Sequence, residues 1–119
     1  MQYLLLIHGD RDAFDAMSDE QESEMLRQFG EFTSDLRESG AYVDSNRLAP
    51  SPTASTVRVR AGETIVTDGP YAETKEQLGG YYLVETVSID EALEWAARIP
   101  AVRFGSVEVR PVAPVPARA

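Results

Sequence analysis

Residues Gln2–Ile7 read Q-Y-L-L-L-I, a strand-length run near the start of a 119-residue chain. Alternation along a strand sends Tyr3, Leu5 and Ile7 to one face of a sheet and Leu4 and Leu6 to the other. A sheet with one wet face carries polar residues at every second position, and Tyr3–Ile7 carries none. Both faces of the sheet are therefore expected to be covered. His8-Gly9-Asp10 is read as the end of this strand.

Working outward, Ser18 to Ser39 has the strongest helical pattern. Ser18 and Gln21 have capping-box spacing, Met25, Phe29, Phe32 and Leu36 share one face, and Gly40 is placed to end the helix. Tyr42–Leu48 is a second strand, broken by Pro50 and Pro52. Thr56–Arg60 alternates, with Val57 and Val59 expected inward and Arg58 and Arg60 outward. With the turn Ala61-Gly62-Glu63 and the return Thr64–Thr67 it makes a hairpin. Tyr81–Val87 is the next strand. Ser88 and Glu91 open a second helix that Pro100 ends. Its buried stripe is expected to be Ile89, Leu93, Ala96 and Ile99, with Ala92 and Ala97 beside them. Val107–Arg110 alternates as the last strand.

This order predicts an α+β fold, a ferredoxin-like βαββαβ arrangement with an inserted β-hairpin. Two helices cover one face of such a sheet, so the other is expected to lie against a second subunit, giving a homodimer. Residues 1–112 form the domain. The tail 113–119, at the end of a stretch that holds Pro111, Pro114 and Pro116, is expected to lie over the surface or fray.

Composition narrows the function classes. The chain has no cysteine, which excludes disulfides, thiolate metal sites and cysteine nucleophiles. Its formal net charge is −9, with eleven carboxylates against four arginines in residues 1–50. No basic stripe is present for nucleic acid, and an acidic surface disfavours anionic membranes. No apolar run approaches the about 20 residues that span a bilayer. A cytoplasmic location is the default expectation, and small molecules or protein partners remain as ligands.

The densest chemistry lies in Thr67–Glu76, T-D-G-P-Y-A-E-T-K-E. Asp68, Tyr71, Glu73, Lys75 and Glu76 fall within nine positions, and Lys75 is the only lysine among eleven basic residues. The string Val66–Glu76, followed by Gly79-Gly80-Tyr81-Tyr82, resembles the signature of the DGPF proteins within the YCII-related family. The likeness runs from Met1 to about Val112, and Tyr71 stands where the motif usually has Phe. The resemblance implies a dimeric α+β barrel. It also implies a regulatory or accessory role, since such proteins often accompany extracytoplasmic-function sigma factors. The wider family includes a lyase type with a proposed catalytic histidine in its first helix. The helix from Ser18 to Ser39 has no histidine, and Phe29 lies near that position.

Each candidate residue has two readings. Asp68 closes the hairpin through an Asx turn or faces a ligand at the barrel mouth. Lys75 ties the loop to Asp68 or Glu73, or it anchors a small anionic ligand. A Schiff-base role needs a desolvated amine, which the neighbouring Glu73 and Glu76 oppose. His8 is the single imidazole, with Asp10 or Asp68 available to orient it as a general base. Tyr71 and Tyr81 are candidates for lining a pocket, with Glu73 beside them. One histidine makes a poor metal site, and no cofactor is implied.

Three functions follow. The first is a homodimer that binds a small molecule or protein partner in a regulatory role. The second is a cofactor-free lyase or isomerase using His8 or Asp68 as base and Lys75 to hold an anion. The third makes the motif a purely structural brace.

Overall fold

A computed structural model of the chain describes residues 1–115. β1 (Gln2–Asp10) is followed by one short helical turn, α1 (Arg11–Asp15), and by the long helix α2 (Asp19–Ser39). Then come β2 (Tyr42–Arg47), β3 (Ser55–Arg60), β4 (Glu63–Asp68), β5 (Glu76–Glu85), α3 (Ile89–Ala97) and β6 (Gly105–Pro111). Four strands form an antiparallel sheet in the order β2-β5-β1-β6, while β3 and β4 form a separate two-stranded ribbon. The fold is α+β. The tail expected over 113–119 has no regular element in 113–115, and 116–119 lie outside the described residues.

α2 forms where its caps place it. The Ser18 hydroxyl accepts from the Gln21 amide at 3.1 Å, and the Gln21 side-chain oxygen accepts from the Ser18 amide at 2.9 Å. Two of the helix's unpaired N–H groups are thereby satisfied. Gly40 ends it at φ 83°, a left-handed conformation that costs glycine nothing. On the solvent side Arg27 bridges Glu24 and Glu31, and its hydrogen bond holds the Glu24 carboxyl down to about 2.

The core lies between the sheet and the helices. Leu5, Val84, Leu36 and Ile99 are fully buried, and each contributes about 1.5–3 kcal/mol by leaving water. Phe32 of α2 meets the Tyr82 ring edge-on at 5.1 Å, fixing the helix over β5. α3 buries part of the expected stripe and leaves the rest exposed. Ala92, Ala96 and Ile99 are buried with Trp95 beside them, whereas Ile89 and Leu93 are exposed. The small alanines let the helix lie close to β1 and β6.

β1 outruns its apolar stretch. His8, Gly9 and Asp10 stay in the sheet because both neighbours continue past Ile7 and pair with them, save Asp10, which pairs with β5 alone. A side chain at Gly9 would press on the Phe14 ring of α1, so glycine here serves packing rather than a turn. Between Ile7 and His8 the register with β5 slips: Ile7 opposes Gly80 and His8 opposes Leu78. Gly79 is the extra residue of this bulge, and its carbonyl accepts from the Leu48 amide at 2.9 Å.

The ribbon departs from expectation. Val57 and Val59 are each 60% exposed, and Val66 opposite Val57 is 64% exposed. Alternation holds, but no residue of the ribbon joins the core, because it leaves the body at Ala54 and Gly69. At its tip Ala61 (φ 51°) and Gly62 (φ 78°) make the tight turn.

The molecule is a plate. Its extents are 51 × 48 × 18 Å, and its radius of gyration is 16.6 Å against about 13 Å for a compact chain of this length. On the sheet face away from the helices, the register sets Leu4 beside Leu83 and Leu6 beside Tyr81, with His8, Glu108 and Arg110 around them.

Candidate functional site

The Asp-Gly-Pro turn sits where the ribbon rejoins the body. Gly69 takes φ 106°, donates its amide to the Ala54 carbonyl at 2.7 Å, and accepts the Thr56 hydroxyl at 2.9 Å. These two bonds close the base of the ribbon and aim the following loop toward the end of β1.

Loop 70–75 is held by Gln77. Its amide nitrogen donates to the carbonyls of Ala72 (3.1 Å) and Thr74 (2.8 Å) and reaches the Thr74 hydroxyl at 3.0 Å. Thr74 in turn bonds the Glu76 carbonyl. Lys75 plays no part in this brace: its Nζ lies 4.0 Å from Asp10 Oδ2, and its side chain is 86% exposed. Asp10 caps α1 by accepting the Asp12 amide at 2.9 Å.

Loop, β1 end and the turn after β2 enclose an open groove of about 490 Å³. Asp68, Glu73 and Lys75 line it, together with Asp10, Arg11 and Asp12. Four carboxylates thus face two cations around one hollow. Three expected residues lie elsewhere. Tyr71 projects into solvent. Tyr81 stands on the open sheet face, where its hydroxyl accepts from Asn46 at 2.8 Å and donates to Asp44 at 3.2 Å. His8 is on that same face, with Nε2 3.5 Å from Glu108 Oε1, without hydrogen-bond alignment and sealed from solvent. Its neighbouring carboxylate is therefore Glu108, in place of the expected Asp10 or Asp68.

Arg11, Asp12 and Gln77 escaped the sequence reading, and Asp10 was expected as a partner of His8 and not of Lys75. Asp10-Arg11-Asp12 follows a glycine in the pattern of a capped helical turn, and that signal was available. The part played by Gln77 has no local signature. Among the described residues no group of three or more histidines and carboxylates could hold a metal ion, and no helix is long and apolar enough to cross a membrane. A second hollow, of about 340 Å³, lies between α2 and the turn after α3. Arg98 bridges it to Asp35, and Arg103 to Gln28, each at 2.8 Å.

A model of the YCII-related domain matches residues 1–116. The chain belongs to that family. It is 42% identical over 115 residues to an uncharacterized protein of Rhizobium meliloti (strain 1021), covering 95% of this chain and 93% of that protein.

Proposed function

We propose that the protein is a homodimeric accessory protein that binds a small zwitterionic ligand in the groove beside loop 70–75. The observation that carries this reading is the mixed lining of the groove. A solvated ammonium at Lys75 is placed to take a carboxylate, and Asp10, Asp68 and Glu73 are placed to take an amino group. Because Lys75 is not consumed by the loop's own bracing, its charge is available to a ligand. The anionic ligand expected from sequence is thereby narrowed to one that also carries a cation, since a plain anion would meet four carboxylates.

The homodimer is supported by the plate's open face. Leu4, Leu6 and Leu83 occupy its middle, a pattern suited to burial against the same face of a second copy. Strand order β2-β5-β1-β6, with the ribbon set aside, supports a ferredoxin-like unit, and two such sheets face to face would make the dimeric barrel. The accessory role beside a sigma factor rests on the family resemblance, and co-purification tests it. Of the two bases weighed for a lyase or isomerase, His8 is the less well supported, because it does not line the groove that Asp68 and Lys75 line.

Thermal melting against a panel of small amino acids, amines and carboxylates tests the ligand. Zwitterions should raise the melting temperature by mass action, and Lys75→Ala should abolish the rise. No shift with any panel member at millimolar concentration would leave the third reading, a structural brace, which Gln77 and Thr74 favour.

A further inference from the structure

Two opposite charges in the groove, on Asp10 and Lys75, are rooted in the sheet rather than in the loop. Asp10 pairs with Glu76 across β1 and β5, and Lys75 directly precedes Glu76. The Glu76 carboxylate in turn accepts the Ser106 hydroxyl at 2.7 Å. Rigid elements hold a binding geometry more closely than loops do, and here one rung of the ladder anchors both groups. Lys75 Nζ lies 4.0 Å from Asp10 Oδ2, beyond the hydrogen-bond reach of about 3 Å. The two attract each other without satisfying each other.

Asp10 also differs from the other carboxylates of the groove. Its Oδ1 accepts the Asp12 amide at 2.9 Å, which fixes the direction of Oδ2. Its side chain is 23% exposed, whereas Asp12, Asp68 and Glu73 lie fully in solvent contact. A partly buried, oriented carboxylate is less screened and holds a cation better than a solvated one.

We propose that Asp10 and Lys75 form a recognition pair for an α-amino acid, a ligand whose ammonium and carboxylate leave the same carbon. The proposal rests on the zwitterion reading and names its class. The ligand's ammonium takes Asp10 Oδ2 while its carboxylate takes Lys75 Nζ, so the four charges alternate around a small ring. A ligand with further carbons between its charges fits in only two ways. It folds back on itself, at a cost in torsional freedom, or it draws Lys75 away from Asp10 and loses that attraction.

The α, β and γ isomers of aminobutyrate test the class, because they share atoms and charge and differ only in how far apart the charges stand. In calorimetric titration of the full chain, the α isomer should bind about tenfold more tightly than the γ isomer, with the β isomer between. Equal affinities, or a preference for the γ isomer, overturn the pair and leave the zwitterion reading standing. No binding of any isomer at millimolar concentration overturns both. Asp10→Asn tests the residue, since asparagine caps a helix as well as aspartate does. It should weaken the α isomer about tenfold, whereas Glu73→Gln should change it less than about twofold. Equal losses in the two variants overturn the assignment of Asp10. Should Asp10→Asn misfold by circular dichroism, the isomer series on the native chain decides alone.

Discussion

Lys75 reaches Asp10 at 4.0 Å, and that contact joins the loop of the family motif to the end of the first strand. It is a loose contact between a solvated ammonium and a carboxylate that is 23% exposed. Gln77, by contrast, makes three short contacts into the same loop. Bracing of the loop and the solvated charge beside it therefore belong to different residues.

Lys75→Ala is expected to change unfolding stability by less than about 0.5 kcal/mol, as exposed pairs at this distance contribute little. Gln77→Ala should cost about 1–2 kcal/mol, since it frees two loop carbonyls. Urea denaturation of both variants checks the contrast. The reverse ranking would show that the lysine, after all, braces the loop.

Tyr82 is buried beneath α2, and its hydroxyl lies 2.8 Å from that of Thr33. Burial raises its pKa above the ordinary phenol value, the bond to Thr33 opposes this, and Tyr42 adds to the rise. The folded state thus binds the phenol proton more tightly than the unfolded chain. Stability should be intact below about pH 10 and fall as pH rises beyond it, because there the unfolded chain releases the proton first. Tyr82→Phe should flatten this alkaline fall in a series of melts. Thr33→Val should cost about 1 kcal/mol at neutral pH.

Gly105 pairs with Gly9, and a methyl group on it would collide with the His8 carbonyl. The obstacle is backbone in a central strand, which has no rotamer to yield. Gly105→Ala is expected to cost about 3 kcal/mol or to prevent folding, the upper end of overpacking penalties. Circular dichroism at rising temperature measures it. Gly30, exposed on α2 with nothing near its absent Cβ, should by the same test gain about 1 kcal/mol as alanine.

Ala61 holds a left-handed conformation at the ribbon tip, beside Gly62. An asparagine tolerates that geometry better, and Asn-Gly suits this turn. Ala61→Asn should slow amide exchange in β3 and β4 about threefold or more, an effect on the order of 1 kcal/mol. Unchanged exchange would mean that the tip does not limit ribbon opening.

Much of the frame was legible because its signals are local. Ser18, Gln21 and Gly40 bound α2 through bonds made within a few residues, so spacing alone located both ends. Burial was harder. Val57 and Val59 alternate as a strand with a covered face would, yet alternation does not say what covers them. Ile89 and Leu93 are larger than the alanines of α3, but closeness of approach put Ala92 and Ala96 inward, with Trp95 packed beside them. The site was half visible. Its residues crowd one string, whereas Asp10, the partner of Lys75, arrives from a distant strand that only folding brings near.

The bulge at Gly79 carries a consequence for length. The extra residue is taken up within the bulge, so beyond it the pairs run in the register of an unbroken ladder. With Gly79 present, Glu76 pairs with Asp10 and reaches Ser106 at 2.7 Å, while Gln77 pairs with Gly9 and holds the loop. Deleting that one glycine would leave both pairings in place and remove only the bulge, with the carbonyl that holds the Leu48 amide. The segment between the motif and Gly80 can therefore shorten by one residue without moving the loop, whereas a further loss would shift every pair beyond it.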